Sequence, residues 1–137
     1  MRTFPQLQEA VERYTLFLRT NMLKDNIYYV DDVILQRIES DFDHIEKKGW
    51  YRLYQNKLDK SFWRLDEWDK YQVQIFVKLE SVKNWEELDD KGLRMELLKE
   101  FRGLSNEKCK WKDCSRKALN NLVFCEIHAY KEMGIRK

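Results

Sequence analysis

The chain has 137 residues, 43% apolar and 14% aromatic, with 36% charged and a formal net charge of +2. That is enough apolar material for one modest core and a small appendage, and it excludes a disordered chain. The start, Met1-Arg2-Thr3-Phe4-Pro5, lacks the apolar run of a secretory signal, and no apolar stretch is long enough to cross a bilayer. The expectation is therefore a cytoplasmic protein with no membrane role.

Phe4, Leu7, Val11, Tyr14 and Phe17 recur at three- and four-residue steps, which predicts an amphipathic helix over residues 5–22. After a break at Lys24-Asp25-Asn26, a second helix is expected with Asp31 or Asp32 as its cap and an end near Gly49. It would bury Ile34, Ile38, Phe42 and Ile45 and leave an acidic outer face of Asp31, Asp32, Glu39, Asp41, Asp43 and Glu46. His44 falls in this stretch, and a lone helical histidine is given no chemistry.

Beyond Gly49 the pattern changes to short aromatic segments, residues 50–54 and 62–65, around a polar turn over residues 55–61; this predicts a β-hairpin. Tyr71, Val73, Ile75, Val77 and Leu79 alternate with Gln72, Gln74, Phe76 and Lys78, as a third strand would. Trp68, Tyr71, Ile75, Leu79 and Val82 also fit a helix, and the β-branched residues favour the strand. Asn84-Trp85-Glu86-Glu87 resembles a capping box opening a helical segment that is interrupted at Gly92, resumes through Leu93, Leu97, Leu98 and Phe101, and closes at Gly103. The expected fold class is α+β: N-terminal helices, a small antiparallel aromatic sheet of two or three strands, a further helix, and a stapled loop and helix at the C-terminus. The expected division is a body over residues 1–104 and a module over 105–137.

All three cysteines and one of the two histidines lie in the last thirty residues, as Cys109, Cys114, Cys125 and His128. Cys-x4-Cys and Cys-x2-His, ten residues apart, form two short-spaced pairs separated by a loop, the arrangement of a four-ligand zinc site. An odd cysteine count cannot close into disulfides without a leftover thiol. A redox pair, a Cys-His nucleophile and three inert core cysteines are the competing explanations. Four protein ligands predict a structural zinc rather than a catalytic one, which keeps a position open for water. A segment this small buries little core, so the metal is expected to supply roughly 10 kcal/mol or more of its folding energy, with disorder after about Ser105 in its absence.

The last 36 residues carry nine basic side chains against four acidic, whereas the preceding part is slightly acidic. A basic metal module invites a nucleic-acid role through Lys110, Lys112, Arg116 and Lys117, with solvated lysines as the plainer alternative. No glycine-rich phosphate loop, nucleophile elbow or His-Glu-x-x-His pair is present, so no enzyme is expected. The best remaining carboxylate group, Asp66, Glu67 and Asp69 with Asp89-Asp90 beside it, reads as a solvated turn.

The string Gly49-Trp50-Tyr51-Arg52-Leu53-Tyr54, followed after a gap by Ser61-Phe62-Trp63-Arg64-Leu65-Asp66, resembles the Trp-x-x-Leu-Tyr…Trp-x-Leu core of small bacterial immunity proteins of polymorphic-toxin systems. The segment from Cys109 through His128 is similar to a short zinc module found in many bacterial and phage proteins. The first resemblance implies a protein that binds and blocks a toxin-like partner without catalysis. The acidic set from Asp31 to Glu46 would then face a basic partner, because complementary charge speeds encounter and enforces specificity.

Overall fold

The structure is a computed structural model that describes residues 25–67 and 72–137. The helix predicted over residues 5–22, together with Trp68, Asp69 and Tyr71, lies outside the described residues. The rest is α+β, in the order β1 (Ile27–Tyr29), α1 (Asp32–Asp41), β2 (Phe42–Lys48), β3 (Tyr51–Asn56), β4 (Phe62–Asp66) and β5 (Ile75–Leu79). A single 3-10 turn (Trp85–Glu87), α2 (Lys91–Arg102), β6 (Leu104–Lys108), β7 (Lys117–Leu119) and α3 (Glu126–Lys131) follow.

Strands β1 to β5 form one antiparallel sheet in the order β1-β5-β4-β3-β2. It is larger than the two or three strands expected. The aromatic hairpin lies where the sequence places it, as β3 and β4, and residues 75–79 are strand rather than helix. The turn between β3 and β4 is held by the Asn56 side chain, whose Oδ1 accepts the N–H groups of Leu58 at 2.8 Å and Asp59 at 3.1 Å.

Strand alternation sends successive side chains to opposite faces of the sheet. On one face Trp63, Leu65, Phe76 and Phe42 pack under α1 through Ile34 and Ile38. Trp63 stacks on Phe76 with centroids 4.9 Å apart, and Phe42 meets the Phe76 ring edge-on at 5.0 Å. On the other face Ile75 and Val77 pack with Leu97 of α2, while Leu53 and Leu79 pack with Trp85. The sheet is thus covered by α1 on one side and by α2 and the 3-10 turn on the other.

The helix expected from Asp31 to near Gly49 is half helix and half strand. Asp31 is its cap, with Oδ1 accepting the Ile34 N–H at 2.8 Å, but α1 stops at Asp41 and the chain turns into edge strand β2. Ile34, Ile38 and Phe42 are buried as expected, whereas Ile45 is 48% exposed. Its spacing from Phe42 suits a helix, but the sheet edge offers β3 as a pairing partner. A register shift between His44 and Glu46 leaves Ile45 as the extra residue of a bulge. The bulge also brings Glu46 opposite Leu53, on the α2 side, where its carboxylate accepts the Trp85 indole N–H at 2.8 Å.

Two smaller expectations also change. Asn84 makes no side-chain cap; its φ is +52° and only a three-residue 3-10 turn follows. Gly92 does not interrupt α2, which runs unbroken to Arg102 and is closed by Gly103 at φ +75°.

The stacked core sets a testable contrast. Phe76→Ala is expected to cost about 3–5 kcal/mol in equilibrium urea unfolding, whereas Trp50→Ala, at a side chain 70% exposed, should change stability by about 0.5 kcal/mol or less. Equal losses would contradict the packing described.

Candidate metal centre

Cys109 and Cys114 bracket a tight knuckle between β6 and β7. Asp113 takes a left-handed φ of +62°, and the Cys114 N–H donates to the Trp111 carbonyl at 3.1 Å, which turns both thiols inward. The Cys109 N–H donates to Arg116 O at 2.8 Å and the Lys110 N–H to Val123 O at 2.9 Å, so the knuckle is tied to both arms of the module. Cys125 is the N-cap of α3, and His128 lies three residues on, hence on the same face of the helix. The helix ends at Lys131, and Gly134 at φ +69° then turns the chain so that the Ile135 N–H reaches Ala129 O at 3.0 Å.

The four ligand atoms lie within 4.8 Å of one another. His128 Nδ1 faces Cys125 Sγ at 3.3 Å and Cys109 Sγ at 3.7 Å, and Cys114 Sγ is 4.0 Å from Cys125 Sγ. A tetrahedron with metal–sulfur bonds of about 2.3 Å and a metal–nitrogen bond of about 2.0 Å has edges of about 3.5–3.8 Å. The spacing and the donor chemistry therefore fit a four-coordinate metal ion. It does not fit a disulfide, whose sulfurs lie about 2.05 Å apart, and all three cysteines are free.

Electrostatics treats the thiols differently. Burial pushes the Cys109 thiol up, but backbone N–H groups of Trp111 and Cys125 and the contact with His128 outweigh it and bring the thiol down to about 7. A thiol near neutrality gives up its proton readily to a metal. Burial keeps Cys125 above the ordinary range.

A second layer of side chains holds the ligands. Trp111 stacks on the His128 ring at 4.8 Å with an interplanar angle of 13°. Glu126, fully buried in the first turn of α3, forms an ion pair with Arg116. The module also rests on the body: Leu119, Ala129 and Tyr130 pack with Leu98 of α2. Tyr29 donates its hydroxyl to Arg136 O at 2.9 Å, and Arg102 donates to Lys137 O at 2.6 Å.

The acidic set is dispersed rather than gathered on one helix. Asp31, Asp32, Glu39 and Asp43 are exposed on α1, its cap and β2. Asp41 pairs with Arg37, and Glu46 with the Trp85 indole. Of the basic set, Lys110, Lys112 and Lys117 are exposed, but Arg116 is committed to Glu126. His44 meets Tyr54 edge-on at 5.3 Å.

The carboxylates around Asp66 do not form a solvated turn. Asp66 and Asp90 are bridged by two buried arginines, Arg64 and Arg94. Arg64 donates to Asp90 at 2.7 Å and to Leu88 O at 3.1 Å, while Arg94 donates to Val73 O at 2.8 Å, pairs with Asp90 at 3.2 Å and also pairs with Asp66. The Arg64 guanidinium also lies 4.3 Å from the centre of the Tyr51 ring. Sequence reasoning missed both arginines. The available signal was Arg64 itself, a charge set between Trp63 and Leu65 in a strand whose two faces are both covered. Glu67 instead joins Lys47 at 3.0 Å and Arg52 at 3.1 Å near the surface.

Comparison with protein families, with curated proteins and with solved structures finds no match to this chain.

Burial pushes the Asp66 carboxyl up to about 6, although Arg94 and Arg64 pull it down and Asp90 adds to the rise. Its folded value lies above its unfolded one, so the folded state binds this proton more tightly. The resulting stability is fully present below about pH 4 and is lost as pH rises through about 6. Two pK units correspond to about 3 kcal/mol. Asp66→Asn should remove this slope, so that wild type loses up to about 3 kcal/mol relative to the variant between about pH 4 and about pH 7 in urea unfolding. Parallel profiles would rule out a raised Asp66.

Proposed function

We propose that this chain is a non-catalytic binding factor of the immunity type, which blocks a partner protein in the cytosol while a structural zinc braces its C-terminal module. The observation that carries the non-catalytic reading is that its concentrated charges and candidate ligands face one another. Cys109, Cys114, Cys125 and His128 supply four ligands and leave no coordination position for water. Arg64, Asp66, Asp90 and Arg94 neutralise one another. Zinc is the metal favoured by three thiolates and one imidazole at tetrahedral spacing in a site without an open position.

The immunity reading draws on the hairpin's resemblance and on the exposed carboxylates Asp31, Asp32, Glu39 and Asp43. Three positions of that resemblance, Leu53, Trp63 and Leu65, are buried and serve the sheet core, while Trp50 is exposed at the β2–β3 turn. The partner surface is therefore sought in the carboxylates and not in the motif. A second reading, nucleic-acid binding by the metal module, is favoured by the exposure of Lys110, Lys112 and Lys117 around the centre.

For zinc, elemental analysis of purified protein should return one equivalent per chain. Removal by a strong chelator should abolish the near-ultraviolet signal of the stacked Trp111 while the sheet's far-ultraviolet signal persists. A metal-free preparation with an ordered module would overturn the site. For the partner, co-expression with a toxin found encoded beside the gene should protect the cell. Replacing Asp32, Glu39 and Asp43 with lysine should slow association by about ten-fold or more with little change in dissociation. A lack of protection and of complex formation would remove the immunity reading.

A further inference from the structure

The cations from Arg102 onward, apart from the exposed Lys131 on α3, fall into two groups. Arg102, Arg116, Arg136 and Lys137 are engaged internally, with Lys137 O, Glu126, Tyr130 and the Tyr29 and Phe101 rings respectively. Lys108, Lys110, Lys112 and Lys117 are exposed and, among the described residues, have no ion pair. Lys108 and Lys117 face each other directly across the β6–β7 hairpin. Like charges in that position repel, and the sheet gains nothing from the arrangement unless an anion lies over it. Their neighbours Cys109 and Ala118 are buried, so alternation turns both lysines outward.

The chain then passes directly from Lys108 into the knuckle, where Lys110 and Lys112 flank Trp111. That indole is held by stacking on the ligand His128 and by the Phe124 ring at 5.8 Å, yet it remains 38% exposed. A partly exposed, rigidly mounted aromatic ring among unpaired cations is the pairing of features that accommodates a base beside its phosphates.

The helix of the module is unavailable for reading duplex DNA. It has six residues, and Glu126, Ala129 and Tyr130 are buried, the last two against Leu98 of α2. A helix docked on its own body cannot enter a major groove. A duplex also hides the base faces that an indole would stack on.

We propose that the β6–β7 hairpin and the metal knuckle bind single-stranded nucleic acid, with Trp111 stacking on a base and Lys108, Lys110, Lys112 and Lys117 contacting phosphates. This rests on the second reading above and specifies its ligand.

The test is fluorescence anisotropy of the full metal-loaded chain with a labelled dodecamer of thymidine or uridine, titrated against salt, beside a duplex of mixed sequence. Polyglutamate serves as competitor. Single strands should bind more tightly than duplex, with affinity falling steeply as salt rises. Trp111→Ala should weaken binding by about ten-fold. The pair Lys110→Glu and Lys112→Glu, both exposed on the knuckle, should weaken it further and flatten the salt slope. Metal content and circular dichroism of each variant establish that the module is intact; should Trp111→Ala lose metal, Trp111→Leu, which retains bulk without a stacking face, takes its place. Equal binding of duplex, or unchanged affinity in an intact Trp111 variant, would overturn this inference and leave general nucleic-acid binding standing. No binding at low salt would overturn both. Competition by polyglutamate as effective as by the dodecamer would overturn it in favour of an acidic protein.

Discussion

The stacking of Trp63 on Phe76 joins the central strand β4 to its neighbour β5 on the face that α1 covers. Because side chains alternate, holding Trp63 and Phe76 on that face commits Arg64, Ile75 and Val77 to the other. The second face then has to satisfy a buried guanidinium as well as apolar groups. It does so by recruiting α2, whose Arg94 completes the network with Asp66 and Asp90, while Leu97 meets Ile75 and Val77. Removing one member of such a network leaves an uncompensated buried charge, so the ions orient α2 on the sheet even where their net contribution to stability is small.

The metal centre depends on this chain of contacts. Leu98, the residue after Leu97, faces the module and packs with Leu119, Ala129 and Tyr130. The apolar contact therefore fixes where α3 lies, and α3 carries Cys125 and His128. The knuckle carrying Cys109 and Cys114 is in turn tied to the loop before α3 by the Lys110 to Val123 bond. A metal ion closing this quartet would staple a module whose own apolar core is small. Such an ion would also fix Trp111, which stacks on His128.

The clustering of the candidate ligands was legible in the sequence, because ligand spacing is a local property. A knuckle and the first turn of a helix are short segments, and Cys-x4-Cys with Cys-x2-His specifies both. The hairpin was legible for a similar reason: β3, Asn56 and β4 are neighbours in sequence. The edge strand β2 was not legible. The recurrence of Ile38, Phe42 and Ile45 satisfies a helical period, and only the availability of β3 as a pairing partner, with a bulge at Ile45, makes the segment a strand. Pairing of β1 with β5 was invisible for the same reason, since it joins Ile27 to Val77 across fifty residues.

The sequence by itself determined the ligand quartet, the central hairpin, the α+β class and the uneven charge between body and tail, all of which follow from residue type and short-range spacing. The tertiary structure alone decided which charges remain available to a partner. Arg116, Asp41, Glu46 and Asp66 have the same composition as their exposed neighbours, yet each is drawn into an ion pair or hydrogen bond by a residue placed beside it through folding. Lys108 and Lys117, at the two ends of a loop in sequence, become facing neighbours only when β6 and β7 pair. Charge is written in the sequence, but its neutralisation depends on distance, and distance between remote residues is a property of the fold.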